Sequence, residues 1–329
     1  MLTGATGFVG RELLARLLER DDRHVYAIVR GGPGRLPEHK RLTTVAGDIE
    51  QPGLGLDPRT AAVIADEATT VIHCAASVSF DLGLEESRQV NVEGTRRVAD
   101  FAGGCAGLRR FTYVSTAYVA GAHRGLFREE DLDVGQDFRN AYERSKFEAE
   151  GLVRERAGEL PVQILRPSIV VGDSRTGWTS SFNVLYPPLR AFAHGAIPAL
   201  PARRRSPVDV VPVDYVADSV HELATSGPDG TFHLVAGRNA TTVGRLMQLA
   251  ASHFGRSAPP VFPPSIYRRL VHPLLLRRGG RALRRLEVYF PYFSMRVRFA
   301  DRRHRPAPPV ERYFHRLLEY AERARWGRR

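Results

Sequence analysis

Apolar and polar positions alternate along residues 1–172 in two rhythms. Within Arg11–Arg20, Leu13, Leu14, Leu17 and Leu18 recur at helical spacing. His24–Val29, Leu42–Ile49, Thr70–Ala76, Arg110–Thr116 and Val162–Gly172 are instead short apolar runs bounded by turn residues. Between them lie further helical patterns, one opening at Asn91 and running through Phe101, another containing Tyr142–Lys146 and ending near Ala157. Strand followed by helix at this tempo predicts an α/β fold with a doubly wound parallel sheet. Thr70–Ala76 is too apolar for an exposed edge.

Beyond Gly172 the rhythm breaks. Residues 173–206 read as loop and helix, with an apolar Leu189–Ile197 stretch. Asp209–Asp218 reads as a short strand returning to the first domain, then a helix with Asp214 near its cap. Thr231–Val235 predicts another strand, Val243–Phe254 a helix, and the proline-rich segment 259–264 a linker. The expected division is a nucleotide-binding domain over 1–172 plus about 207–225. A smaller, partly helical substrate-binding region takes about 173–206 and 226–329, ending in a basic tail, 265–329.

Composition narrows the class. The chain has 329 residues, 43% hydrophobic and 26% charged, which is ordinary for a globular protein with ample core. No apolar run approaches the ~18 residues of a membrane span. A glycine-rich turn beginning at residue 3 leaves no room for a signal peptide, so a cytoplasmic location is expected. Cys74 and Cys105 offer neither a disulfide framework nor metal-ligand spacing, and the histidines are scattered, so no metal site is expected. Net charge is +12, yet of 48 basic residues only Lys40 and Lys146 are lysine. Such an arginine skew reads as coding bias and argues against nucleic-acid binding. It still favours acidic partners: phosphorylated cofactors, acyl carrier proteins or an anionic membrane surface.

The candidate chemistry starts at Thr3-Gly4-Ala5-Thr6-Gly7-Phe8-Val9-Gly10. Gly4 permits a tight turn out of a strand, Gly7 lets backbone approach a pyrophosphate, and Gly10 lets the helix pack close. The helix amino terminus then presents N–H groups and a positive dipole end to the phosphates. Only Met1 and Leu2 precede this turn, so either the start is placed too late or the central strand is clipped. Strand His24–Val29 is followed by Arg30 and Arg35, with no acid until Glu38 to hold a ribose 2′-hydroxyl. The missing carboxylate and the two arginines predict NADP(H), with NAD(H) as the alternative. Asp48 and Ile49 end the third strand, and Asp48 is equally a turn residue. Ala75 and Ala76 leave room for a dinucleotide, and Pro167, Ser168 and Ile169 present backbone to a nicotinamide. Tyr142 and Lys146 share a helix face at i, i+4. A phenol beside an ammonium, with a strand hydroxyl from Ser115 or Thr116, suits proton delivery to a carbonyl oxygen; the ammonium is expected to lower the phenol's pKa.

These motifs resemble the extended branch of the short-chain dehydrogenase/reductase superfamily, with its Rossmann-like sheet. Ile72–Phe80, Tyr113–Gly121 and Leu165–Trp178 are similar, more narrowly, to the fatty acyl-CoA reductase and thioester-reductase group, a likeness covering roughly residues 1–240. The resemblance implies that Asp48 reaches the adenine and that Asn91 anchors backbone and water near the site. It selects Thr116, five residues before Gly121, as the catalytic hydroxyl, with Ser115 as the fallback. Ser77, Val78, Ala117 and Phe182 are the expected substrate contacts. The implied activity is NADPH-dependent reduction of an acyl thioester, small or carrier-protein-bound, to an aldehyde or alcohol, without an enzyme cysteine. Pairing of two copies through helices is a further implication. Sugar-nucleotide epimerases or dehydratases and 3β-hydroxysteroid dehydrogenases share the same motifs, and a non-catalytic dinucleotide sensor is a remoter alternative. For the tail, Leu270, Leu274, Leu275 and Leu286 are expected to pack as core. The competing reading is a basic amphipathic surface, with Arg277, Arg278, Arg284 and Arg285, that meets anionic lipid at the inner face of the membrane.

Overall fold

Two residues, Leu2 and Thr3, form the central strand β1. The computed structural model, which describes every residue except 33, 278–283, 285, 303 and 329, arranges the main strands as β2 (Val25–Val29), β3 (Leu42–Ala46), β4 (Thr70–His73), β5 (Arg110–Val114), β6 (Val162–Pro167) and β7 (Gly230–Leu234). They make one seven-stranded sheet in the order β7-β6-β5-β4-β1-β2-β3, parallel at every pairing. Short as it is, β1 is held on both sides: Leu2 and Thr3 pair with Ala27 and Ile28 of β2 and with Ile72 and His73 of β4. Strand order reverses between β1 and β4, so the crevice beyond their carboxyl ends is where an open α/β sheet takes its ligand.

The helices packing on this sheet are α1 (Phe8–Arg20), α2 (Pro58–Glu67), α3 (Leu84–Arg88), α4 (Gly94–Gly103) and α5 (Ala141–Glu155). Leu13, Leu14 and Leu17 of α1 are buried, as their spacing predicts. One apolar cluster joins Ile28, Val71, Phe111 and Ile164 of the sheet to Val98 and Ala99 of α4 and Ala149 and Val153 of α5. Between α3 and α4 the chain makes a π-helical turn over Gln89–Glu93. Such turns commonly mark functional positions.

The chain divides into two compact units: Met1–Gly121, Glu129–Pro167 and Asp214–Leu234 form the first, and Ala122–Arg128, Ser168–Val213 and Val235–Arg329 the second. Several boundaries differ from the sequence reading. The run Val162–Gly172 is two strands: β6 stays in the main sheet, whereas Ile169–Val171 pairs with Val210–Pro212 inside the second unit. The strand near Asp209 therefore does not rejoin the first unit, although most of the helix that follows, Val213–Ser226, does. Conversely β7 is an edge strand of the main sheet. Period-2 patterning gives a strand's faces but not its partner, which only tertiary pairing selects.

The second unit holds α6 (Tyr186–Ala193), four short two-stranded pieces and the helix α8 (Val243–Phe254), where α7 is the helix Val213–Ser226. One piece pairs Arg124–Phe127 with Arg296–Phe299 in parallel, an element without a strong sequence signal. In the tail, Leu286 is buried as expected. Leu270 and Leu274, however, are each 59% exposed, so they are not core. Arg278, Arg285 and the Gly279-Gly280 pair lie outside the described residues. Among the described residues no helix is long and apolar enough to cross a membrane, and no group of three or more His, Cys, Asp or Glu could hold a metal ion.

Candidate functional site

The glycine turn closes directly on the sheet. Gly4 has φ +75°, and a Cβ there would stand 2.6 Å from Ala75 N. At Gly10 a Cβ would stand 2.0 Å from Gly4 O. Both glycines are therefore required by packing: the first against the end of β4, the second where α1 rests on the turn. Gly7 is different. It is exposed, and a Cβ there would meet only Gly4 O, at 3.2 Å. The exposed backbone at Gly7, at the start of α1, is the kind of cradle a pyrophosphate needs. Thr6 contributes its carbonyl to Arg11 Nε at 3.0 Å. Phe8 and Val9 are half-buried in the first turn.

Beyond β2, Arg30 is 74% exposed in its side chain and pairs with Glu50 at 3.0 Å. That acid lies twenty residues on, too far along the chain for local spacing to point to it. A Cβ on Gly31 would lie 3.5 Å from the Arg35 guanidinium, so Arg35 folds back over the same turn. Asp48 acts as a turn residue, accepting from Glu50 N at 3.0 Å. Ile49 is buried, and its side chain occupies the space that a Cβ on Gly94 would need.

A buried polar chain links the glycine turn to α5. Thr95 donates to Asn91 O at 2.6 Å, so its oxygen accepts from His73 Nε2–H at 3.0 Å. His73 Nδ1 is then the acceptor for the Thr3 hydroxyl at 2.7 Å. Thr3 thus spends its side-chain hydroxyl on His73. Burial pushes His73 down to about 3, with Lys146 acting in the same direction. Asn91 accepts from Ser77 N at 2.8 Å and donates to Ser77 O at 3.0 Å and Ser145 Oγ at 2.9 Å. Placed in the π turn, it fastens the loop after β4 to the helix that carries Tyr142 and Lys146.

Asn140 caps α5 by accepting from Glu143 N. Two residues in, the half-buried Tyr142 has the Thr116 hydroxyl beside it. Burial pushes the phenol up to about 12, against a downward pull from Thr116 and with Glu143 raising it further. Lys146 is not what sets the Tyr142 pKa here, contrary to expectation. Its ammonium donates to Val114 O at 3.0 Å and sits 4.2 Å over the Tyr113 ring. Burial pushes Lys146 down to about 7, opposed by Glu150 and Cys74. Among the described residues Val114 O is the hydrogen-bond acceptor of Nζ, and an ammonium has three donors, so capacity remains for sugar hydroxyls. The open ledge at Gly7 and this under-used cation fit a nicotinamide dinucleotide.

The two strand hydroxyls diverge. Thr116 accepts from Tyr118 N at 3.2 Å and donates to Pro167 O at 3.3 Å. Ser115 donates to Glu150 Oε2 at 2.7 Å, on the other side of the strand. Glu150 belongs to a network that sequence reasoning missed. Arg166 grips it with Nη2 at 2.6 Å and Nε at 3.0 Å, and Arg154 Nε reaches it at 3.1 Å. Burial opposes ionisation of Glu150, but Arg166 and Arg154 outweigh it and hold the carboxyl below its usual range. The available signal was the i, i+4 step from Lys146 to Glu150 on one face of α5.

The remaining expected residues scatter. Ala75 N approaches Thr3 Oγ1 at 3.4 Å, and both Ala75 and Ala76 are half-buried. Ala117 is wholly buried. Val78 is exposed. Phe80 lies with its ring 5.9 Å from that of Tyr142, an apolar neighbour. Ser168, Ile169 and Phe182 belong to the second unit. There Ser168 donates to Asp209 at 2.6 Å, Ile169 is a buried strand residue, and Phe182 stacks on Tyr320. Burial pushes Cys74 up to about 12, so it is no thiolate nucleophile.

Comparison with known proteins gives three findings. An NAD-binding family model described as "Male sterility protein" matches residues 2–220. Fatty acyl-CoA reductase 1 of Mus musculus is 28% identical over 271 residues, covering 67% of this chain and 53% of its own. The chain thus spans about half the length of such curated relatives. Among solved structures, the terminal R domain from the myxalamid PKS-NRPS biosynthetic pathway is similar at a TM-score of 0.84 and 26% identity, covering 99% of this chain and 90% of that one. MoeE5 in complex with UDP-glucose and NAD is similar at a TM-score of 0.69 and 20% identity, covering 98% of each, which is a likeness of fold alone.

Proposed function

The chain belongs to the family described as Male sterility protein, an NAD-binding family, and from that premise we propose that it is a reductase that reduces an acyl thioester with NADPH in preference to NADH. The observation that carries this reading is the meeting of the Thr116 hydroxyl and the Tyr142 phenol beyond β5, one helical turn from the Lys146 ammonium. The nicotinamide supplies a hydride to the thioester carbonyl carbon when bound. Tyr142 and Thr116 hold the carbonyl oxygen as it gains negative charge. A phenol pushed up to about 12 stays protonated at neutral pH, which suits it to donate a proton to that oxygen. Collapse of the resulting hemithioacetal breaks the C–S bond, returns the hydroxyl proton to Tyr142 and releases aldehyde and a thiolate, which takes its proton from water. Lys146 orients the cofactor ribose. Arg30 and Arg35 take the 2′-phosphate, for which Arg30 must share itself with Glu50.

The fatty acyl-CoA reductase and R-domain likenesses support the thioester reading over a sugar-nucleotide one, whose support is fold alone. The test is NADPH consumption, with product identification, against acyl-CoAs, sugar nucleotides and 3β-hydroxysteroids. An acyl-CoA is expected to be consumed, and Tyr142→Phe to lose roughly 10²–10⁴-fold in kcat while binding NADPH normally. Thr116→Ala should cost more than Ser115→Ala, and Arg30→Ala should narrow the NADPH-over-NADH preference. A near-normal rate for Tyr142→Phe, or turnover of a sugar nucleotide alone, overturns the reading. In the tail, Ile266, Leu270 and Leu274 are exposed at four-residue steps beside Arg268 and Arg269. This is the chemistry of a surface facing anionic lipid, and cosedimentation with anionic vesicles that falls with salt is its check.

A further inference from the structure

A cleft of about 770 Å³ opens within the second unit. Six of its sixteen lining residues are arginines: Arg203, Arg204, Arg205, Arg238, Arg296 and Arg298. About one residue in seven of the whole chain is arginine, so the general surplus does not account for this concentration. Nor is the cluster a loose tail. Arg203 N donates to Phe293 O at 3.1 Å, Arg203 O accepts from Ser206 N at 2.9 Å, and Arg204 O accepts from Gly244 N at 2.8 Å. Arg296 and Arg298 alternate with the buried Val297 and Phe299, which sends both guanidiniums to one face of their strand.

The charges are not internally neutralised. Arg238 lies 3.7 Å from Asp301. The other five guanidiniums have no ion pair or side-chain hydrogen bond among the described residues. The lining carboxylate, Asp209, is buried, and its oxygens already accept from Ser168 Oγ, Ala236 N and Gly237 N. Thr241 and Thr242 also line the cleft, and Thr242 caps α8 by accepting from Arg245 N. The positive end of a twelve-residue helix is thereby added to the arginines. Cations held together in a concavity, on anchored backbone, five of the six without an acidic partner among the described residues, make a site for clustered phosphates, which planar guanidinium forks bind in pairs.

Resting on the thioester reading above, we propose that this cleft binds the phosphate groups of the thiol that carries the acyl chain, a nucleotide thiol of the coenzyme A type. Concavity and size suit a compact polyphosphate more than the broad face of a protein. The test is calorimetric titration of the full chain with unacylated coenzyme A, 3′-dephospho-coenzyme A, pantetheine and NADPH, for the wild type and for Arg204→Gln/Arg298→Gln. The exposed arginines are replaced by a polar residue so that folding is kept, and thermal unfolding checks this; each single variant serves if the pair unfolds.

The expected result is a roughly tenfold or larger loss of coenzyme A affinity in the double variant, with a smaller loss for the 3′-dephospho form. Pantetheine and NADPH affinities should be unchanged, and KM for an acyl-CoA should rise at constant kcat. Equal coenzyme A affinity in wild type and variants overturns the proposal. So does a parallel loss of NADPH affinity, which would make the dinucleotide the ligand. An acidic carrier protein that responds to the substitutions while coenzyme A does not would also overturn it, in favour of a protein face. Coenzyme A binding that depends on the arginines, in a wild type that reduces no acyl thioester, sustains the cleft and rejects the thioester reading instead.

Discussion

At the scale of single residues, burial sets the chemistry more than charge pairing does. It drives Tyr142 up and Lys146 down, so that two groups of similar ordinary proton affinity move apart: the phenol holds its proton more firmly and the ammonium gives its proton up more readily. His73 shows the same effect with a stability consequence. Its folded value, near 3, lies below the ordinary 6.5. Above pH 6.5 both folded and unfolded states hold it neutral. As pH falls from 6.5 towards 3 the unfolded chain takes up a proton that the folded chain refuses, so stability drops by at most about 1.4 kcal/mol per pH unit. His73→Gln should remove this limb while lowering stability at neutral pH, through loss of the Thr3 and Thr95 bonds. Denaturant unfolding at pH 7, 6, 5 and 4 measures it, and identical slopes for the two proteins would reject the assignment.

Among elements, the glycine turn separates folding from binding. The Gly10 Cβ position is 2.0 Å from a backbone oxygen, and backbone cannot swing aside as a side chain does. Gly10→Ala should therefore force α1 off the sheet, destabilising the fold by about 1–3 kcal/mol or more. At Gly7 a Cβ would press on one backbone atom, Gly4 O, at 3.2 Å, a far milder contact than at Gly10. Gly7→Ala should keep the melting temperature near wild type and weaken NADPH binding, because the methyl group occupies the pyrophosphate's approach. Melting curves and cofactor titrations of both variants decide the matter; a Gly7→Ala protein that binds NADPH normally would show that the ledge is not the phosphate site.

Across the first unit as a whole, a buried ion network ties distant stretches together. Glu150 on α5 holds Ser115 after β5 and Arg166 on β6. Arg166 and Arg154 in turn hold the loop through Asp131 O at 2.6 Å and Glu130 O at 3.0 Å. Both partners of the central pair are fully buried, and removing one leaves an uncompensated charge worth about 3–5 kcal/mol of stability. Glu150→Gln should accordingly lower the melting temperature sharply, and Arg166→Met should do the same. A Glu150→Gln/Arg166→Met pair should recover part of the loss, since the stranded charge is gone. Additive losses in that double variant would mean that the pair contributes through packing alone.

The sequence by itself determined what depends on local spacing. The glycine turn, the strand–helix alternation, the i, i+4 placement of Tyr142 and Lys146 on α5 and the hydroxyls beyond β5 are all legible because each is a relation between residues a few positions apart. What tertiary structure alone decided are relations between distant residues and the environments they create. Glu50 meets Arg30, Glu150 meets Arg166 and Ser115, and Arg203 to Arg205 share a cleft with Arg296 and Arg298. The split of Val162–Gly172 between two sheets belongs here too, since a strand's pattern does not name its partner. So does the direction in which Thr3 and Ser115 spend their hydroxyls, because a side chain's partner depends on which strand or helix the fold brings against it.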